Sequence, residues 1–210
     1  MFFKNKGTYG TQITSWSGGT DQGYFIASLG FTYTYCGTAY TQVTVNTNGY
    51  VCLGSNTLCA ADTRPTVHNI LVGLNKDLNT ASGSGQVYYQ SISSGTYFTT
   101  ATTYTNTLYP SFVPTNGFMI TYDGVYPYSF VSAAIVVSFQ IFILTDGSTS
   151  YVVFSYTNCA TGASQAANSG LSINNGGSLV EKVISNECTS SNVGVTGVWV
   201  NRVDTYASGN

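Results

Sequence analysis

Apolar and polar positions alternate along much of this 210-residue chain, with a period of two. Phe31, Tyr33 and Tyr35 alternate with Thr32 and Thr34, and Val43 and Val45 with Thr44 and Asn46. That period sets one face of a strand against a core and the other toward water. Asn48-Gly49 offers two positive-φ positions for a tight hairpin turn, and Tyr50-Val51-Cys52-Leu53 is the returning strand. A second hairpin is stronger. Ile135, Val137, Phe139, Ile141 and Ile143 share a face, Asp146-Gly147 lies in the loop, and Tyr151–Tyr156 runs back. Val136, Phe142 and Leu144 make the outgoing strand apolar on its other face as well, so it must be central or covered. Gln86–Tyr89, Gly117–Thr121 and Gly197–Val203 read as further strands between clusters of Gly, Ser and Asn. Thr96–Thr107 holds seven threonines in twelve residues and reads as a threonine-rich strand. The pattern predicts roughly ten strands, no helix of note and no internal repeat. The fold class is all-β, an antiparallel sandwich or jelly roll.

Composition agrees and adds one constraint. Tyr (17), Phe (11), Thr, Val and Gly (23) dominate, which are residues of strands and turns. Only 7% of the chain is charged, against about 25% in ordinary soluble domains. The surface must therefore be hydroxyl, amide, glycine and tyrosine, with weak repulsion between copies. Six basic residues and a net charge of −2 leave no basic face for nucleic acid. No apolar run is long enough to insert in a membrane as a helix. Met1–Lys6 resembles the start of a signal peptide, but the polar Gly7-Thr8-Tyr9-Gly10 follows it.

Catalytic patterns are missing. His68 is the lone histidine, in a loop-like stretch, and no GxSxG, P-loop or HExxH occurs. The eight acids are dispersed; Asp123 and Asp146 precede glycine as turn residues do, and Asp62 with Asp77 is the only pairing that suggests calcium. The expectation is a chain that is no enzyme and holds no metal or cofactor. Five cysteines without CxxC point to disulfides in an oxidising compartment, with one thiol left over. Fifteen pairings are open; Cys52–Cys59 and Cys159–Cys188 are favoured because each brackets a local polar loop. Thr99, Thr100, Thr102, Thr103 and Thr105 are candidate O-glycosylation positions, while none of the 17 asparagines begins Asn-x-Ser/Thr. Exposed tyrosines would suit a carbohydrate-binding face.

Four stretches in order resemble the nidogen-type extracellular domain (NIDO). They are Phe31-Thr32-Tyr33-Thr34-Tyr35-Cys36-Gly37-Thr38-Ala39-Tyr40 with Val45-Asn46-Thr47-Asn48-Gly49-Tyr50; Gly83-Ser84-Gly85-Gln86-Val87-Tyr88-Tyr89; the hairpin Phe139–Tyr156; and Ser191-Asn192-Val193 through Trp199, Arg202 and Asp204. Leu74-Asn75-Lys76-Asp77-Leu78-Asn79-Thr80 stands where that family usually has F-W-A-D-V-D-T, without its aromatic pair or its second acid. The resemblance spans about Gly23 to Asp204. It implies a non-enzymatic module of matrix, adhesion or surface-coat proteins, placed outside the cell or on its surface.

This gives an N-terminal arm at residues 1–22, a NIDO-like sandwich at 23–204 and a short tail at 205–210. The arm carries Ile13 and Trp16 as anchors and suits strand addition to a sheet edge. The expectation is that it adds to a neighbour, making a self-assembling filament or surface-coat subunit whose partner is itself, with Ile13, Trp16, Val136, Phe142 and Leu144 as candidate interface residues. Seated on its own domain, it would instead mark a monomeric adhesion or carbohydrate-binding module, with glycans or extracellular proteins as partners.

Overall fold

A computed structural model describes residues 8–55, 57–59, 69–74, 76–81, 85–128, 136–158, 169–175, 178–184 and 186–205. Its thirteen described strands form two antiparallel sheets. The first sheet runs β1 (Thr11–Gln12), β7 (Gln86–Ile92), β8 (Asn116–Pro127), β9 (Val137–Thr145), β10 (Ser150–Asn158) and β13 (Val198–Arg202), with β6 (Leu78–Asn79) against β8. The second runs β12 (Ser178–Ile184), β11 (Ser169–Asn175), β5 (Ile70–Val72), β4 (Tyr50–Leu53), β3 (Thr38–Asn46) and β2 (Tyr24–Tyr35). The expected sandwich is there, and the alternating pattern builds it.

The core between the sheets is aromatic and β-branched. Phe139, Ile141 and Ile143 of β9 meet Val43, Val45, Val51 and Leu71 of the second sheet, all fully buried. Each such side chain stabilises the fold by about 1.5–3 kcal/mol relative to exposure. Tyr122 and Phe139 stack with ring centroids 4.5 Å apart, and the Tyr122 hydroxyl donates to the Asn46 carbonyl at 2.5 Å. A buried tyrosine thus keeps its polar end satisfied.

Two expectations fail. Thr96–Thr107 is not a strand: Gly95–Leu108 is an α-helix, α1. Its register shows why. Tyr97, Ala101, Tyr104 and Thr105 recur at helical spacing and turn toward Phe142, Leu144 and Val153 on the outer face of the first sheet. Thr102, Thr103, Thr105 and Thr107 return their hydroxyls to the carbonyl four residues back, so the β-branched residues satisfy themselves within the helix. The covering role outweighs threonine's poor helix propensity.

Nor is Asn48 a positive-φ turn residue. Only Gly49 is (φ 82°), in the three-residue loop 47–49. Asn48 is held otherwise because its backbone N–H donates to Asn46 Oδ1 at 2.6 Å while its Oδ1 accepts from Leu78 N–H at 2.9 Å. A Cβ at Gly49 would stand 2.2 Å from the Leu74 carbonyl oxygen, whereas one at Gly147 (φ 94°) would meet nothing within 4 Å. Gly147→Ala is therefore expected to cost about 1 kcal/mol, from backbone strain alone, and Gly49→Ala at least about twice that. Urea midpoints of the two variants check the order, and equal losses would contradict it.

Candidate functional site

Two of the carboxylates, Asp146 and Asp204, are spent on structure. Asp146 caps its own loop, accepting from Ser148 N–H at 2.8 Å and Thr149 N–H at 2.7 Å. Burial acts to raise its pKa, but these bonds and the two hydroxyls outweigh that and hold it below the usual carboxylate range. Asp204, 5% exposed, takes Arg202 in a two-pronged pair with both contacts at 2.9 Å and accepts from Ser150 N–H at 3.1 Å. There too burial pushes upward, and the Arg202 and Ser150 bonds prevail in lowering the pKa. Among the described residues no three of His, Cys, Asp and Glu cluster as metal ligands. His68 and Asp62 lie outside the described residues.

Cys52 and Cys59 are bonded, with Cα atoms 6.2 Å apart, as expected from the loop they bracket. Cys188 is disulfide-bonded; its expected partner, Cys159, lies outside the described residues. Cys36 is free and half-buried, at the tip of the β2–β3 hairpin with φ 48°. Burial, then the negative charge of Asp204, pushes its thiol up to about 11.

Of the tyrosines, Tyr33, Tyr35, Tyr50, Tyr122, Tyr151 and Tyr156 are core residues, while Tyr128 is exposed and Tyr24, Tyr40, Tyr89, Tyr97, Tyr104 and Tyr109 are partly so. Among the threonines, Thr99 and Thr103 are exposed on α1 and Thr100 and Thr102 partly so. Thr105 is corrected: it is fully buried with its hydroxyl on Ala101, out of reach of a transferase.

The candidate interface residues separate in space. Phe142 and Leu144 are fully buried beneath α1 and Phe112, so the apolar second face of β9 is covered from within the chain and is no contact surface. Val136 is partly exposed just before β9. The arm is seated on its own domain. Thr11 and Gln12 pair with Tyr89 and Tyr88, Ile13 N–H donates to the Val87 carbonyl at 2.8 Å, and Ile13 enters the core. Tyr9, 3% exposed, lies edge-on to Tyr88 with centroids 5.5 Å apart. Past the half-buried Trp16, Ser17 exchanges backbone bonds of 3.0 and 2.9 Å with Tyr24 of β2. The arm therefore crosses from an edge of one sheet to an edge of the other.

Beside this crossing lies an open groove of about 390 Å³, bounded by Ser15, Trp16 and Ser17 on the arm and Tyr24, Phe25 and Ile26 on β2. Sequence reasoning missed it, because its two walls lie apart along the chain until the arm is placed.

The motif residues are fold-holding as well. Asn46 Nδ2 donates to the Cys59 carbonyl, and Asn48 pins Leu78. Asn192 makes two bonds with Val200, of 2.7 and 2.9 Å, and Trp199 Nε1 donates to the Glu187 carbonyl at 3.1 Å. The nidogen-like domain model matches residues 41–205, most of the chain. The chain belongs to the nidogen-like domain family. That family is extracellular and non-catalytic, in keeping with the disulfides and with carboxylates tied up in turns. The match begins within β3, so β1, β2 and the arm precede it. No curated protein and no solved structure matches the chain.

Two outcomes follow for this nidogen-like domain. A carboxylate held below its unfolded pKa stabilises the fold above that value and loses the contribution as pH falls through the folded one. Asp204→Asn should thus lower stability at neutral pH, and its deficit against the native chain should shrink below about pH 4. Chemical denaturation at stepped pH reads this, and a deficit independent of pH would contradict it. Cys36, with a raised pKa, should alkylate with iodoacetamide at pH 8 at least about tenfold more slowly than free cysteine.

Proposed function

We propose that this chain is a non-catalytic extracellular adhesion module that works by surface contact as a single folded unit. The observation that carries this reading is the cis seating of the arm. Tyr9 and Ile13 fill their places from within the same chain, so both are buried without a neighbour. A surface poor in charge then supports contact: hydroxyls, amides and half-buried aromatics meet another such surface with little repulsion to overcome. At about 10 µM, light scattering should give a mass near 22.3 kDa. A mass many times larger would overturn the reading.

The notion of a filament subunit keeps one specific support. Gly18 and Gly19 both have positive φ, so the turn after Trp16 depends on glycine and is the place where the arm could swing away. An arm released there could take the same seat on a neighbour's β7, which is a strand exchange. Deleting the arm would strip Tyr9 and Ile13 from the fold, so a covalent lock is the better test. Gln12 and Tyr88 face each other in register and, with Ile13 bonded to Val87, form the closer, non-bonded kind of pair. Oxidised Gln12→Cys/Tyr88→Cys should run on a non-reducing gel as one closed monomer, and a ladder of linked chains would favour the filament.

A further inference from the structure

We propose that the free edge of β2 is a homotypic docking strand, pairing antiparallel with the β2 of a second copy. The inference rests on the adhesion reading above and names its partner. β2 is an outer strand of its sheet, twelve residues long, and carries neither a charge nor a proline. Natural edges are usually blunted by one or the other. The remaining outer strands among the described residues conform: β1 and β6 have two residues each, β12 includes Glu181 and Lys182, and β13 includes Arg202.

The register follows from the backbone. Tyr24 spends its N–H and C=O on Ser17, so both point away from β3. By alternation Ile26 and Ser28 also direct theirs outward, while Phe25 and Ala27 bond to β3. Beyond Ser28 the regular pairing with β3 breaks until Tyr33, and Gly30 adopts φ 80°. The usable edge is therefore Ile26 to Ser28, bounded by Ser17 on one side and the Gly30 kink on the other. A two-fold axis at Ala27 sets Ile26 of each copy opposite Ser28 of the other, and all four outward groups on each strand are then paired. Ile26 and Ser28 carry their side chains on the outer face, one partly and one fully exposed, so nothing from the core must move. The groove between Trp16, Phe25 and Ile26 gives the incoming strand apolar cover. A two-fold contact closes on itself, so the product is a dimer.

Four backbone hydrogen bonds and a small area make this a weak contact, with Kd on the order of 0.1–1 mM, suited to surfaces that carry many copies. Sedimentation from about 10 µM to 1 mM, with amide hydrogen exchange read at each concentration, is the test. The expected result is a monomer at the low end, a dimer at the high end, and protection of the Ile26 and Ser28 amides that rises with dimer fraction. Ser28→Pro removes one outward N–H that β3 does not use and should hold the protein monomeric throughout. Should that variant fail to fold, Ile26→Lys on the exposed face serves instead. A dimer in which these two amides stay unprotected, a dimer undiminished in a folded variant, or a monomer at 1 mM would each overturn the proposal. The last of these leaves the single-unit module standing, whereas a large polymer at 10 µM would remove that reading first.

Discussion

The structure depends on a strand with no polar side to offer water. Every residue of β9, from Val137 to Thr145, is buried, and the strand sits fourth of six along its sheet. Apolar side chains on both faces forbid an exposed sheet, because leaving Phe142 and Leu144 in water would forfeit several kcal/mol. One face is met by the second sheet. The other needed a cover, and α1 with Phe112 and Tyr109 supplies it. The helix looks foreign to the sequence until that need is recognised: its fourteen residues carry no charge, and Ala101, the small residue, lies fully buried where α1 meets the sheet.

A second constraint is polar. The loop between β3 and β4 is buried, so its backbone and amides must find partners inside the protein. Asn46 bonds the Cys59 carbonyl and the Asn48 N–H; Thr47 bonds Asp21 and Gly23; Asn48 bonds Leu78. Three separate segments are thereby tied to one turn: the end of the arm, the Cys52–Cys59 loop and the start of β6. The most family-like sequence in the chain thus serves to hold segments together. The asparagines are valuable as joints, and the Leu74–Thr80 stretch docks on them through Leu78, which needs neither the aromatic pair nor the second acid.

Much of this was legible in the sequence because strand period and hairpin turns are local. β3–β4 and β9–β10 could be read from alternation, and β9's two apolar faces announced a cover without saying what it was. The cover was lost because threonine's residue-level preference points to strands, while the aromatic and alanine spacing at Tyr97, Ala101 and Tyr104 points to a helix. Asn48 was misjudged for a related reason: its role is set by Leu78, thirty residues on, and no dipeptide rule contains that. The local disulfide Cys52–Cys59 could be chosen from spacing. The groove beside β2 could not, since it exists only once the arm has crossed between sheets.

Scarcity of charge links these parts to what the surface can do. A domain with ordinary charge protects its edges with lysines and glutamates. With 14 charged residues in 210, this one has charges on β12 and β13 but protects β7 and the start of β2 with chain. The arm does so twice, covering β7 with Thr11–Ile13 and the start of β2 with Ser17. It cannot do so further, because the turn at Gly18-Gly19 brings it straight back into β2 itself. The bare backbone from Ile26 to Ser28 is what geometry leaves over when one arm has two edges to close. A short uncharged edge of that length is too small to drive indiscriminate aggregation, yet it retains aligned donors and acceptors, which is the balance the proposed contact requires.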